Sequence, residues 1–202
     1  MLNYSALACD CEEHSTDTKD KAVITKMNKI YADSKLVFSS AQIDKAAKKV
    51  AAEITEELKD SNPVVLSVLV GGLVCTSDLI KLLDFPLQLD YIHATRYKND
   101  TVGGALHWVS EPTLSLHGRT VLIADDIFDK GVTMHSIVEY CKQHGAKNVY
   151  TFAFFNKKTE KAEGVKNVDF YALEVEDYYI FGYGMDIHSY FRNLNEVRSM
   201  FK

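Results

Sequence analysis

Ile43, Ala47, Val50, Ile54 and Leu58 recur at spacings of four, three, four and four, one apolar stripe along an amphipathic helix. Ser39, with Gln42 three residues on, supplies a capping box at its start. After Asn62-Pro63 the pattern changes. Val64 to Val70 is apolar almost throughout and rich in β-branched residues, which reads as a strand covered on both faces. Gly71-Gly72 ends that run, and Leu73–Leu83 returns to helical spacing. The rhythm then repeats, with strands predicted at Leu87–Ala94, Arg119–Ala124, Asn148–Phe155 and Asp169–Val175. A helix is predicted over Val132–His144, stopped by Gly145, and a short closing helix over Ser189–Phe201. Thr95–Glu111 is polar with a Gly103-Gly104 pair, and residues 1–38 are weakly patterned.

Strands alternating with helices predict an α/β fold: a central, mostly parallel twisted sheet flanked by helices. Residues 1–38 read as an N-terminal arm that forms part of a small cap, 39–175 as the core, and 176–202 as a C-terminal segment completing the cap. In such a sheet, ligands bind beyond the carboxyl ends of the strands. That rule selects the Gly71-Gly72 turn, the Asp125–Thr133 run and the segment after Val175.

Composition narrows the class. With 202 residues, 47% hydrophobic and 25% charged, the chain has the make-up of one soluble globular domain, not of a disordered or fibrous protein. Against 23 Lys and Arg stand 28 Asp and Glu, a net charge of −5 that argues against a nucleic-acid-coating protein. No apolar run approaches the roughly 18–20 residues of a membrane span, and Met1–Ser5 has no secretory pattern, so a cytoplasmic chain without membrane partners is expected. Four cysteines are too sparse for a disulfide scaffold. The Cys9-Asp10-Cys11-Glu12-Glu13-His14 cluster lacks the downstream ligand pair of a zinc site and reads as part of a mobile arm.

Val121 to Thr133 carries the most chemistry. A buried strand delivers Asp125 and Asp126 to the functional edge, with Asp129 close behind. Two carboxylates about 6 Å apart repel by roughly 0.7 kcal/mol in water and about 3 kcal/mol at an effective dielectric of 20. A cation or ligand hydroxyls should compensate. Lys130-Gly131-Val132-Thr133 then opens a helix, where converging N–H groups and the Thr hydroxyl favour an anion such as phosphate. Acids that suit a polyol, directly upstream of a phosphate cradle, suit a sugar phosphate. An ordinary acidic turn with a helix cap is the plain alternative. A response-regulator receiver is disfavoured, since its acid pair should follow the first strand.

This run resembles the phosphoribosyl-pyrophosphate (PRPP) signature of type I phosphoribosyltransferases. Lys157 after its strand, the segment Asp177–Asp186, and Tyr190-Phe191-Arg192-Asn193 resemble the hypoxanthine–guanine branch. The resemblance implies transfer of a phosphoribosyl group from PRPP to hypoxanthine or guanine, with Mg²⁺ as cofactor. It implies that Asp125 and Asp126 bind the ribose hydroxyls and metal, that Asp129 is the catalytic base against purine N7, and that Lys130, Gly131, Val132 and Thr133 hold the 5′-phosphate. Lys157 would read O6, Tyr179 stack on the purine, and Ile180 offer backbone groups to it. Asp186 would lie by the purine and meet a second Mg²⁺, and Arg192 would bind pyrophosphate. A homodimer or homotetramer is likewise implied.

Two positions depart from the family pattern. Val70 stands where a basic residue commonly precedes Gly71, leaving backbone N–H groups as the pyrophosphate contacts of that loop; a cis peptide is common there in the family. Arg96-Tyr97 stands where many relatives have Ser-Tyr, in a stretch, Thr95–Trp108, expected to be a mobile loop closing over the site. Lys158 beside Lys157 leaves open which lysine meets the purine. His93, His107 and His135 read as structural. A non-catalytic PRPP- or nucleotide-sensing regulator and a xanthine-preferring transferase are the alternatives on the same fold.

Overall fold

The apolar, doubly covered runs form the middle of the molecule's main sheet. The structure, a computed structural model, describes residues 13–96, 106–162 and 166–200, and the chain divides into two units after Ser34. The first unit holds helix α1, Glu13–Asp33. Ser34 ends it, its hydroxyl donating to the Tyr31 carbonyl at 2.6 Å. The hydrophobic pattern announces no helix there because α1 has no continuous apolar stripe. The side chains of the Cys9–His14 cluster lie outside the described residues.

The second unit runs β1 (Lys35–Phe38), α2 (Ser40–Leu58), β2 (Val64–Leu69), α3 (Gly72–Ile80), β3 (Gln88–Arg96) and β4 (Leu106–Ser110). It continues through β5 (Thr120–Phe128), α4 (Val132–Gln143), β6 (Asn148–Lys157), β7 (Phe170–Val175), β8 (Ile180–Phe181) and β9 (Val197–Ser199). The main sheet has the order β4-β3-β2-β5-β6-β7. Its strands are parallel except β4, which lies antiparallel on β3. The α/β class and the mostly parallel sheet are as the pattern predicts. The edge strand β4 is not, because it falls within the polar stretch read as a loop. Thr95–Arg96 and Leu106–Trp108, the ends of that stretch, belong to β3 and β4, while residues 97–105 lie outside the described ones.

Alternation along β5 builds two cores. Leu122 and Ala124 pack with Ile54 of α2 and Leu79 of α3 on one face. Val121 and Ile123 pack with Met134 and Ile137 of α4 on the other. Burial of each such large side chain is worth about 1.5–3 kcal/mol. The Ser39 cap of α2 forms as expected, with Gln42 Oε1 accepting the Ser39 N–H at 2.9 Å.

A second, antiparallel sheet, β1-β9-β8, joins the start of this unit to its end and makes the small cap. The closing helix predicted over Ser189–Phe201 does not form in the described part of that span, residues 189–200. Its span holds β9, whose Val197 and Ser199 are wholly buried between β1 and β8. His188, Ser189 and Phe191 take positive φ values of 54°, 70° and 69°, which no right-handed helix admits. Sheet pairing has overridden local helix preference.

Candidate active site

Strand order fixes where a site can form. The chain passes from β2 outward to β3, then returns to place β5 on the other side of β2. The carboxyl ends of β2 and β5 therefore flank the switch point of the sheet, where open α/β folds bind ligands. The loop after β2 reaches that point through a cis Leu69–Val70 peptide. Val70 is 48% exposed, and Gly71 packs so closely on β5 that an added Cβ would stand 1.9 Å from Asp126 Oδ2. Gly184, from the C-terminal segment, closes on the same place: at φ +99°, its own added Cβ would lie 2.3 Å from the Gly71 carbonyl oxygen.

The acid pair sits within β5, not in a bend beyond it, because β5 continues to Phe128 and pairs with β6 as far as Asn156. Asp125 Oδ1 accepts the Asp126 N–H at 2.9 Å, and Asp126 Oδ1 accepts the Ile127 N–H at 2.7 Å. Burial raises the pKa of both carboxyls, and the charge of Asp126 raises Asp125 further. Hydrogen bonds from Asp125 and Ile127, and the charge of Arg192, counteract the rise at Asp126. Among the described residues no three or more His, Cys, Asp or Glu form a cluster that could hold a metal ion by themselves. Two adjoining, desolvated carboxylates nonetheless suit a hard cation that takes its other ligands from substrate oxygens and water, as Mg²⁺ does.

Two cavities meet at Asp126 and Asp129. One, of about 270 Å³, lies under the start of α4 and is lined by Asp125, Asp126, Asp129, Lys130, Gly131 and Thr133 among others. Gly131 takes φ +80° as the N-cap of α4, a left-handed turn that glycine enters without strain and that leads straight into the helix N-terminus. Val132 is exposed beside it. The other cavity, of about 220 Å³, shares Asp126 and Asp129 and adds Lys157, Tyr179, Ile180, Asp186 and Arg192.

In this second cavity the Lys157 ammonium, 14% exposed, lies 2.9 Å from Asp177 Oδ1 and 3.8 Å from Asp129 Oδ2. Lys158 is instead paired with Glu176 at 2.8 Å and does not line the cavity. Tyr179 presents a 54% exposed ring, pinned by its hydroxyl donating to the Asp186 carbonyl at 2.6 Å. Burial, then the charge of Asp186, raises its phenol pKa. Ile180 is buried in β8 opposite Ser199. Asp186 pairs with Arg192 at 2.5 Å and accepts the Ser189 N–H at 2.7 Å, while Arg192 also donates to the Gly184 carbonyl at 2.6 Å. A metal at Asp186 or an anion at Arg192 would compete with this pair.

The structure thus brings together every candidate residue from Val70 and Gly71 through Asp125–Thr133 to Lys157, Tyr179, Ile180, Asp186 and Arg192 on one edge of the sheet. Tyr97 and the side chain of Arg96 lie outside the described residues. Sequence reasoning missed three neighbours. Thr159 donates its hydroxyl to Asp129 Oδ1 at 2.8 Å, and Lys161 donates to the Asp129 carbonyl at 2.8 Å. The Cys75 thiol of α3 bridges the Gly72 and Asp125 carbonyls at 3.3 Å each. A Lys-Lys-Thr-Glu-Lys run reads as solvated surface, and a cysteine in an apolar helix reads as core; neither carries a signal.

Comparison with known proteins identifies a family. Residues 37–188 match the phosphoribosyl transferase domain family. The hypoxanthine-guanine phosphoribosyltransferase of Bacillus subtilis is 34% identical over 161 residues, covering 79% of this chain and 89% of that protein. The hypoxanthine-guanine-xanthine phosphoribosyltransferase of Tritrichomonas foetus is 32% identical over 160 residues, covering 79% and 87%. A solved structure of a hypoxanthine-guanine-xanthine phosphoribosyltransferase superposes with a TM-score of 0.74 at 31% identity, over 83% of this chain and 96% of that one.

Proposed function

The chain belongs to the phosphoribosyltransferase family, and from that premise we propose that it joins hypoxanthine or guanine to PRPP, giving IMP or GMP and pyrophosphate. The observation that carries this reading is the pair of cavities meeting at Asp126 and Asp129. One is floored by the start of α4, the other walled by a lysine and an exposed aromatic ring.

The residues divide the work by position. Amides of residues 130–133 and the Thr133 hydroxyl hold the 5′-phosphate at the start of α4. Asp125 and Asp126 accept hydrogen bonds from the ribose hydroxyls. The same two carboxylates would hold Mg²⁺, which would supply neutralisation of the charge that develops on the pyrophosphate leaving group. Backbone N–H groups of the Val70-Gly71 loop and an Arg192 released from Asp186 meet the pyrophosphate. Tyr179 stacks on the purine, Ile180 borders it, and Lys157 donates to O6. The C1′–oxygen bond to pyrophosphate breaks with its electron pair leaving on the pyrophosphate. Purine N9 supplies the pair for the new bond, and Asp129 accepts the proton released at N7. Catalysis is then positioning and electrostatics, with no covalent enzyme intermediate.

A spectrophotometric assay with PRPP, Mg²⁺ and, in turn, hypoxanthine, guanine, xanthine, adenine and uracil tests the reading. Turnover with hypoxanthine or guanine supports it, and turnover confined to xanthine replaces the substrate. PRPP binding with no turnover of any base would make the protein a regulator on this fold.

A further inference from the structure

The chain leaving β6 folds back across the end of β5, and three of its residues grip three consecutive residues there. Thr159 holds the Asp129 carboxylate by Oδ1 at 2.8 Å. The Lys161 ammonium sits 4.6 Å from the centroid of the Phe128 ring. It donates to the carbonyls of Lys157 at 2.6 Å and Asp129 at 2.8 Å, with longer contacts of 3.3 Å to the Phe128 carbonyl and Asn156 Oδ1. The Ala162 N–H donates to the Lys130 carbonyl at 3.0 Å. An ammonium whose protons are committed to main-chain carbonyls anchors the chain and is not free to bind a substrate anion.

The consequence falls on Asp129. A carboxylate turns readily about its last side-chain bond, since that torsion has broad preferences. The Thr159 hydroxyl removes this freedom by occupying one oxygen. The other, Oδ2, is left on the Lys157 side of the carboxylate, 3.8 Å from the ammonium that faces the purine cavity. We propose that Thr159 is a positioning residue for Asp129: it fixes Oδ1 and so commits Oδ2 as the oxygen that accepts the purine proton, while Lys161 holds the main chain from which the carboxylate hangs. This rests on the transferase reading above. A misplacement of about 1 Å at such a group is enough for a roughly 10²-fold loss of rate.

Steady-state kinetics with PRPP, Mg²⁺ and whichever purine the wild type uses test this in Thr159→Val, which removes only the hydroxyl, and Thr159→Ser, which keeps it. Each is also made in an Asp129→Asn background. Asp129→Asn alone is expected to lower kcat by about 10²-fold or more with KM for PRPP nearly unchanged. Thr159→Val should lower kcat by about 10- to 100-fold with both KM values within about twofold, and Thr159→Ser should restore kcat to within about threefold of wild type. Added to Asp129→Asn, Thr159→Val should cost less than about twofold more, since its partner has already been altered. A full-sized loss in that background, serine as impaired as valine, or valine equal to wild type would each overturn the assignment. Thermal melts check that the variants fold, and Thr159→Ala repeats the reading should valine not fold. A wild type inactive on every purine refutes the function itself; an active wild type without this pattern refutes only the role of Thr159.

Discussion

Replacing Gly71 by alanine puts a methyl group where Asp126 already stands. The new Cβ would lie 1.9 Å from Oδ2 and 2.6 Å from Cγ, whereas ordinary contact begins at 3.4 Å, so one group must give by about 1.5 Å. Gly71 has φ −61° and ψ −46°, open to any residue, so the backbone itself adds no penalty. Asp126 is buried and tied to the Ile127 N–H at 2.7 Å. Gly71 is pressed in turn by Gly184, which leaves its loop little room to withdraw. Overpacking costs about 1–3 kcal/mol, and loosening a hydrogen bond to a buried carboxylate about 1–3 kcal/mol. Destabilisation of about 2–6 kcal/mol should lower Tm by roughly 4–24 °C in a protein of this size. On the proposed assignment of Asp126 to the ribose, displacing its carboxylate by more than about 1 Å should lower kcat/KM for PRPP by about 10²-fold. Calorimetry and PRPP titrations read the two effects. A Tm within about 2 °C of wild type together with kcat/KM within about threefold would refute the idea that this glycine exists to let β2 and β5 converge.

Lys157→Ala should raise the purine KM by about tenfold or more, while Lys158→Ala, which breaks only an exposed pair with Glu176, should stay within about twofold; the reverse order would move the purine contact to Lys158. Asp90 fastens β3 to the chain after β4. Its Oδ2 accepts the N–H groups of Thr113 and Leu114 at 2.8 Å each, and its Oδ1 accepts the Tyr91 N–H at 2.8 Å. Burial works to raise its pKa, but these bonds outweigh it and the net shift is downward. A carboxyl lowered on folding stabilises fully above its unfolded value of about 3.9, and that contribution fades as pH falls through the lower folded value. Asp90→Asn should therefore cost about 1–3 kcal/mol in urea melts at pH 7, with a gap to wild type that narrows below about pH 4. A gap independent of pH would remove Asp90 from the acid response.

The sheet and the acidic run were legible because both are local in the chain. Val64 to Leu69 and Thr120 to Ala124 bury both faces, so continuous apolarity marks them as central strands. The Asp125–Thr133 run supplies acids, turn and helix start from one contiguous stretch. What escaped was set by contacts distant in sequence or by weak patterning. β9 exists because β1 and β8 flank it, and nothing within residues 189–201 encodes those neighbours. β4 is an edge strand carrying polar residues, and α1 lacks a stripe. Thr159 and Lys161 take their roles from carbonyls and a carboxylate about thirty residues earlier, which polar composition does not reveal.

Neighbouring strands of a sheet keep a fixed pitch of about 4.8 Å, and β2, β5 and β6 are consecutive. A molecule lying across their ends meets main-chain amides, then carboxylates, then an ammonium, at stations the hydrogen-bonded ladder spaces like marks on a ruler. Donor and acceptor can thus be held a known step apart without rigid bodies swinging together. Redesign can follow the same graduation: side chains at the β6 mark can be exchanged to reshape the Lys157 cavity while the acid pair, one mark away, keeps its spacing.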